Sequence, residues 1–144
     1  MMSITLVAVL QASLLASDGQ TYAKAYERSA ATGKPLVLLV GAEWCAACQQ
    51  MKQDVVPDLA RRGTLGKVAF AVVDTDEQSK LARKIMRPGV VPQLIMYRRT
   101  AKGWSRSELI GRQSTSAVKS FIESGLPARV AARPVGETAT DTGG

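Results

Sequence analysis

Cys45 and Cys48 are the only two cysteines in this chain of 144 residues. They stand two residues apart in the segment Trp44-Cys45-Ala46-Ala47-Cys48. At the start of a helix this spacing sets both sulfurs on the first turn, near enough to close a small disulfide. A Cys-x-x-Cys at a strand-to-helix turn reads as a dithiol redox site. Its chemistry is thiol–disulfide exchange, in which a thiolate attacks a disulfide sulfur through a mixed-disulfide intermediate. A purely structural crosslink is the weaker reading, because closing so short a loop removes little chain entropy.

Cys45 is the expected attacking thiol. Unpaired N–H groups at a helix N-terminus favour negative charge there, which lowers a thiol pKa from its free value of about 8.5. Cys48, one turn further in, is expected to be more buried, less acidic and the resolving thiol. Glu43 is the nearest carboxylate and, with water, a candidate proton acceptor for it.

Composition narrows the alternatives. With no histidine, His-based acid–base catalysis and every His-containing metal site are excluded. Two cysteines cannot close a four-ligand zinc site within one chain. A metal reading therefore requires two chains sharing zinc or an iron–sulfur cluster through Cys45 and Cys48 of each. That binding module or metal carrier is the alternative to an oxidoreductase, which needs no cofactor. The net charge of +7 favours acidic partners in general. The basic residues are scattered, however, and only 5% of residues are aromatic, so a solvated basic surface is preferred to a nucleic-acid site.

The length fits one domain. Residues 4–16, ITLVAVLQASLLA, are too few to span a bilayer. They resemble the apolar core of a secretory signal, with Ala16 the last residue before cleavage. The competing reading is a strand or helix packed on the domain. With a signal the protein is expected to be exported or periplasmic; without one, cytoplasmic.

The elements that must position the cysteines follow. Residues 18–32 read as a helix capped by Ser17 or Asp18, with Tyr22, Ala25, Tyr26, Ser29 and Ala30 on its inner face and Gly33 as its stop. Residues 36–40, LVLLV, read as a central strand buried on both faces. Residues 46–62 read as a helix interrupted at Pro57 and stopped by Gly63. A strand is expected over 67–74. A helix follows to Met86, capped by Thr75 or Asp76, with Leu81, Ile85 and Met86 facing inward. Residues 93–99 and 104–110 form a hairpin, and Ser114 or Thr115 caps a last helix ending near Gly125. From 126 to 144 no periodic apolar pattern survives, and a disordered tail is expected.

This order, with WCxxC after the first core strand and Val90-Val91-Pro92 before the third, resembles the thioredoxin superfamily over residues 18–125. Val72-Val73-Asp74 after the cysteine helix and Gly111 after the last strand also match. The leader ending Gly33-Lys34-Pro35 and the segment 42–51 are similar to exported thioredoxin-like domains and the C-terminal domain of the membrane reductase DsbD. The resemblance implies an α/β thioredoxin-like fold, a mixed sheet of about four strands with helices on both faces. It implies a monomeric oxidoreductase that exchanges disulfides with protein partners and depends on an upstream redox partner. It makes Pro92 a cis-proline beside the cysteines, Val91 a backbone partner for an extended substrate segment, and Trp44 an apolar shelf. It also exposes departures. Leu39 stands where the family carries a buried aspartate, Phe70 where its lysine partner falls, and Ala46-Ala47 where Gly-Pro is usual.

Overall fold

The computed structural model describes residues 21–127. The expected signal segment, 1–17, the caps Ser17 and Asp18, and most of the expected tail lie outside the described residues. The elements run α1 (Tyr22–Thr32), β1 (Leu36–Gly41), α2 (Ala46–Gln50), α3 (Val56–Arg61), β2 (Ala69–Asp74), α4 (Ser79–Ile85), β3 (Gln93–Thr100), β4 (Gly103–Ile110) and α5 (Thr115–Ser124). Within residues 21–127 the helix and strand order is the expected one.

The four strands form one mixed sheet in the order β2-β1-β3-β4. β1 runs parallel to β2, with Leu36 opposite Ala69, and antiparallel to β3, with Leu39 opposite Leu94. β3 and β4 form the hairpin, with Thr100 opposite Gly103. Side chains alternate across a strand, so the all-apolar β1 feeds two cores at once. Val37 and Leu39 pack with Met51, Val55, Leu59, Val118 and Ile122 from the α2–α3 and α5 side. Leu36, Leu38 and Val40 pack with Ala25 of α1 and Ala82 of α4 on the other. Each such aliphatic side chain gains about 1.5–3 kcal/mol by burial. β1 is therefore the element the sheet is built around, and it ends at the cysteines.

Several local details depart from expectation. Thr21 caps α1, its hydroxyl accepting from the Lys24 N–H. The buried face of α1 narrows to Ala25 and Ser29, while Tyr26 and Ala30 are exposed. The helix after Cys45 is interrupted at Pro57 as expected, and a new segment starts there. Residues Met51–Val55 form a π-helical turn between α2 and α3. Pro57 then falls in the first turn of α3, where its missing N–H costs nothing. Neither Thr75 nor Asp76 caps α4: its N-cap is Gln78, with no side-chain hydrogen bond, and Asp74, the last residue of β2, ties the turn before it by accepting the N–H groups of Asp76 and Glu77. Leu81, Ile85 and Met86 do pack inward. Leu126, counted with the tail in the sequence, is buried in the core.

Candidate active site

β1 delivers the chain to the site at Gly41, and the turn 42–44 leads into α2. Cys45 is the N-cap of α2 with an extended backbone, and its Sγ accepts the Cys48 N–H at 3.2 Å. The Cys45 N–H donates to the Ala42 carbonyl at 3.1 Å, and its carbonyl accepts from Gln49 at 3.0 Å. Its sulfur thus takes the place that a Ser or Asp oxygen holds in an ordinary cap. Cys45 and Cys48 are joined as a disulfide, with their Cα atoms 5.2 Å apart. Cys45 keeps 8% of its surface and Cys48 only 1%. The order of exposure is as expected, and both sulfurs are enclosed because Ala42 and Val91 pack around the pair.

Gly41 matters here for its lack of a side chain. A Cβ on it would lie 2.9 Å from the Cys48 Cβ and 3.1 Å from its Sγ. The Gly41 carbonyl accepts from the Thr75 N–H at 2.9 Å, which ties the end of β1 to the segment after β2.

The second half of the site comes from residues 87–92. Val91 is half-buried against the cysteine pair. Pro92 is buried, the Val91–Pro92 peptide is cis, and the Pro92 carbonyl accepts from the Gly111 N–H at 2.8 Å. Val90 and Ile110 are exposed on the two segments that meet through this bond. Trp44 is 71% exposed, and its indole N–H donates to an Asp76 carboxylate oxygen at 3.1 Å. The structure therefore gathers Trp44, Cys45, Cys48, Val91 and Pro92 at one end of the sheet.

Glu43 stands differently. Its carboxylate is open to solvent, pairs with Lys52 at 3.5 Å and accepts from the Gln49 side chain at 3.2 Å. No hydrogen bond joins it to either cysteine among the described residues. Leu39 is in the core, opposite Val72 and Leu94, and Phe70 packs against the same cluster. The apolar residues packed with the cysteine pair are Ala42, Ala47 and Val91. Among the described residues no three metal-ligating side chains cluster within the chain.

One residue of this region carried no assigned role in the sequence. Gln93, directly after Pro92, is fully buried. Its Nε2 donates to the carbonyls of Arg87 and Val90, both at 2.7 Å, and its Oε1 accepts the Arg87 N–H at 3.0 Å. The signal was a polar residue opening an otherwise apolar run, Leu94-Ile95-Met96, since a buried amide must find partners. Outside the same loop, Arg87 pairs with Glu108, and Arg106 joins Glu108 and donates to the Ile85 carbonyl at 2.7 Å. Hydrogen bonding from Arg106 is the main cause holding the Glu108 carboxyl below its ordinary pKa, with the charges of Arg106 and Arg87 adding to it.

Known proteins of this shape are thioredoxins. The thioredoxin from Thermus thermophilus superposes with a TM-score of 0.61 at 25% identity, covering 72% of this chain and 82% of that one. The Fasciola hepatica thioredoxin gives 0.58 at 20% identity, covering 75% and 97%. The Trichomonas vaginalis thioredoxin gives 0.57 at 22%, covering 68% and 85%. No curated protein sequence matches. A family model described as thioredoxin-like matches residues 18–98, a span that includes both cysteines and Pro92. With that match over more than half its length, and with a strand order and site to suit, the chain belongs to the thioredoxin-like family.

Proposed function

We propose that the protein is a thiol–disulfide oxidoreductase that exchanges disulfides with protein partners through Cys45 and Cys48. The observation that carries this reading is the placement of Cys45. Its sulfur caps a helix, accepts the Cys48 N–H and is already linked to Cys48.

In the reducing direction the Cys45 thiolate attacks one sulfur of a partner disulfide. A Cys45–partner bond forms, the partner's own S–S bond breaks, and the departing partner sulfur takes up a proton. Cys48 then loses its proton and attacks the Cys45 sulfur. The Cys45–Cys48 bond forms, the mixed disulfide breaks, and the second partner sulfur leaves and is protonated. Two electrons pass from the dithiol to the partner, and an external dithiol must restore them. The same steps reversed oxidise a partner dithiol.

Burial of Cys48 among Ala42, Ala47 and Val91 disfavours its ionised form. With Glu43 engaged by Lys52 and Gln49, water is the favoured acceptor of the Cys48 proton. Val91 presents backbone to an extended partner segment in the manner of strand addition, and Trp44, Val90 and Ile110 supply the apolar rim on which that segment lies.

The test is reduction of insulin by the protein with dithiothreitol as electron donor. Turnover is expected. In Cys48→Ser the second step is blocked, and a Cys45–insulin mixed disulfide should accumulate on a non-reducing gel. Turnover of insulin by the Cys48→Ser protein at the native rate would reject the two-step mechanism.

A further inference from the structure

The loop 87–92 brings Val91 to the cysteines without the support of a helix or strand, and it must still present a defined backbone. Three of its backbone polar groups turn inward to one side chain. The Gln93 carboxamide donates both protons of Nε2, to the Arg87 and Val90 carbonyls, and accepts the Arg87 N–H on Oε1. Gln93 itself keeps none of its surface. A buried amide with its donors and acceptor matched to three backbone groups has few alternative arrangements, because each lost bond leaves a polar group unpaired away from water. Among neutral side chains only a carboxamide offers two donors and an acceptor at one end. Ionised Glu lacks the donors, and Leu or Met lacks all three.

We propose that Gln93 is a positioning residue for partner binding. It fixes residues 87–90 from beneath, and so sets the course of the Val91 backbone beside Cys45. This inference rests on the oxidoreductase reading above and adds a residue that neither touches the sulfurs nor lines the surface. Its action is confined to partners that pair with the backbone of Val91. A disulfide too small to reach that backbone, meeting only the sulfurs, gains nothing from it.

The test is Gln93→Met, which keeps the chain length and removes all three bonds. It is assayed on insulin and on hydroxyethyl disulfide, with dithiothreitol as donor. For insulin the KM should rise about tenfold with kcat held within about twofold, the scale of one net binding interaction lost. For hydroxyethyl disulfide the rate should stay within about twofold. The equilibrium constant of the Cys45–Cys48 couple against glutathione should likewise be unchanged. A second measurement needs no activity: amide hydrogen exchange at Arg87 should accelerate in the variant while the amides of β1 keep their protection.

Equal losses on both disulfides, an insulin KM at the native value, or unchanged exchange at Arg87 would each overturn the inference. A native protein active on both substrates beside an unaffected Gln93→Met sinks the positioning role alone. A native protein inactive on both sinks the oxidoreductase reading, and the positioning role with it.

Discussion

Residues 41–45 and residues 87–92 reach the same disulfide and are held in place by opposite means. The first segment is fixed by backbone. It continues a strand buried on both faces and enters a helix within four residues. Its ties are the Cys45 N–H to Ala42, the Gly41 carbonyl to Thr75, and the Cys48 N–H on Cys45 Sγ. The second segment has one backbone tie, the Pro92 carbonyl to the Gly111 N–H, and otherwise depends on side chains. Gln93 holds it from within, and Arg87, Glu108 and Arg106 hold it from outside. Chemistry that tolerates little displacement sits on the backbone-held half. On the proposed function, recognition of different partners falls to the half that side chains tune. A backbone-held segment changes only when the fold changes, whereas a side-chain clamp can be altered one residue at a time.

The contrast can be broken from the first half outward. Cys45→Ser removes the attacking atom, and insulin reduction should fall to the background rate of dithiothreitol alone while the melting transition stays cooperative. Residual turnover above that background would place the nucleophile elsewhere. Gly41→Ala attacks the packing of the same half. The new methyl group meets the Cys48 Cβ at 2.9 Å, and overpacking of this kind costs about 1–3 kcal/mol. Denaturant unfolding should show that loss. An unchanged midpoint would mean that Cys48 can step aside freely.

Smaller effects sharpen the division between chemistry and recognition. Trp44→Ala removes an exposed indole, so stability should move by no more than about 0.5 kcal/mol. The insulin KM should rise severalfold, with the rate on hydroxyethyl disulfide unaltered. A drop on both substrates would assign Trp44 to the reacting sulfurs instead. The smallest effect is the outer clamp's response to acid. Arg106 and Arg87 hold the Glu108 carboxyl below its ordinary value of 4.5. A depressed folded-state pKa contributes stability that is complete above the unfolded value and lost as the pH falls through the folded one. The difference in melting temperature between the native protein and Glu108→Gln should therefore be constant at neutral pH. It should shrink only below about pH 4.5. A difference that vanished between pH 7 and 5 would contradict the pairing.

The legible and illegible parts of this molecule divide along the same line. The doubly buried strand at 36–40, the crossover to β2, the hairpin and the closing helix follow from apolar periodicity and turn residues, which act locally. Cys45 and Cys48 stood out by their spacing after the first core strand, whereas the cis bond at Pro92 was implied by the resemblance alone. What escaped depended on side-chain pairings and turns that apolar periodicity does not report. Glu43 is adjacent to the cysteines in sequence, yet Lys52 and Gln49 compete for its carboxylate. Neither Thr75 nor Asp76 caps α4, because a turn held by Asp74 comes between β2 and the helix and moves the N-cap to Gln78. Pro57 was legible as the point where a second helical segment starts, but the π-helical turn before it was not. Gln93 was visible as a polar letter before an apolar run, but its three partners lie back along a loop whose path no periodicity describes.

Cys45 and Val91 lie far apart along the chain and meet only because β1 and β3 are neighbours in the sheet. The sulfur pair, by contrast, is a local ring of four consecutive residues that exists with or without the fold. Melting the protein therefore keeps the two sulfurs within reach of each other, but it takes from Cys45 the helix N-terminus that it caps and parts it from Val91. Closing the ring is a property of the sequence; on the proposed function, both the activation of Cys45 and the choice of partner belong to the folded state.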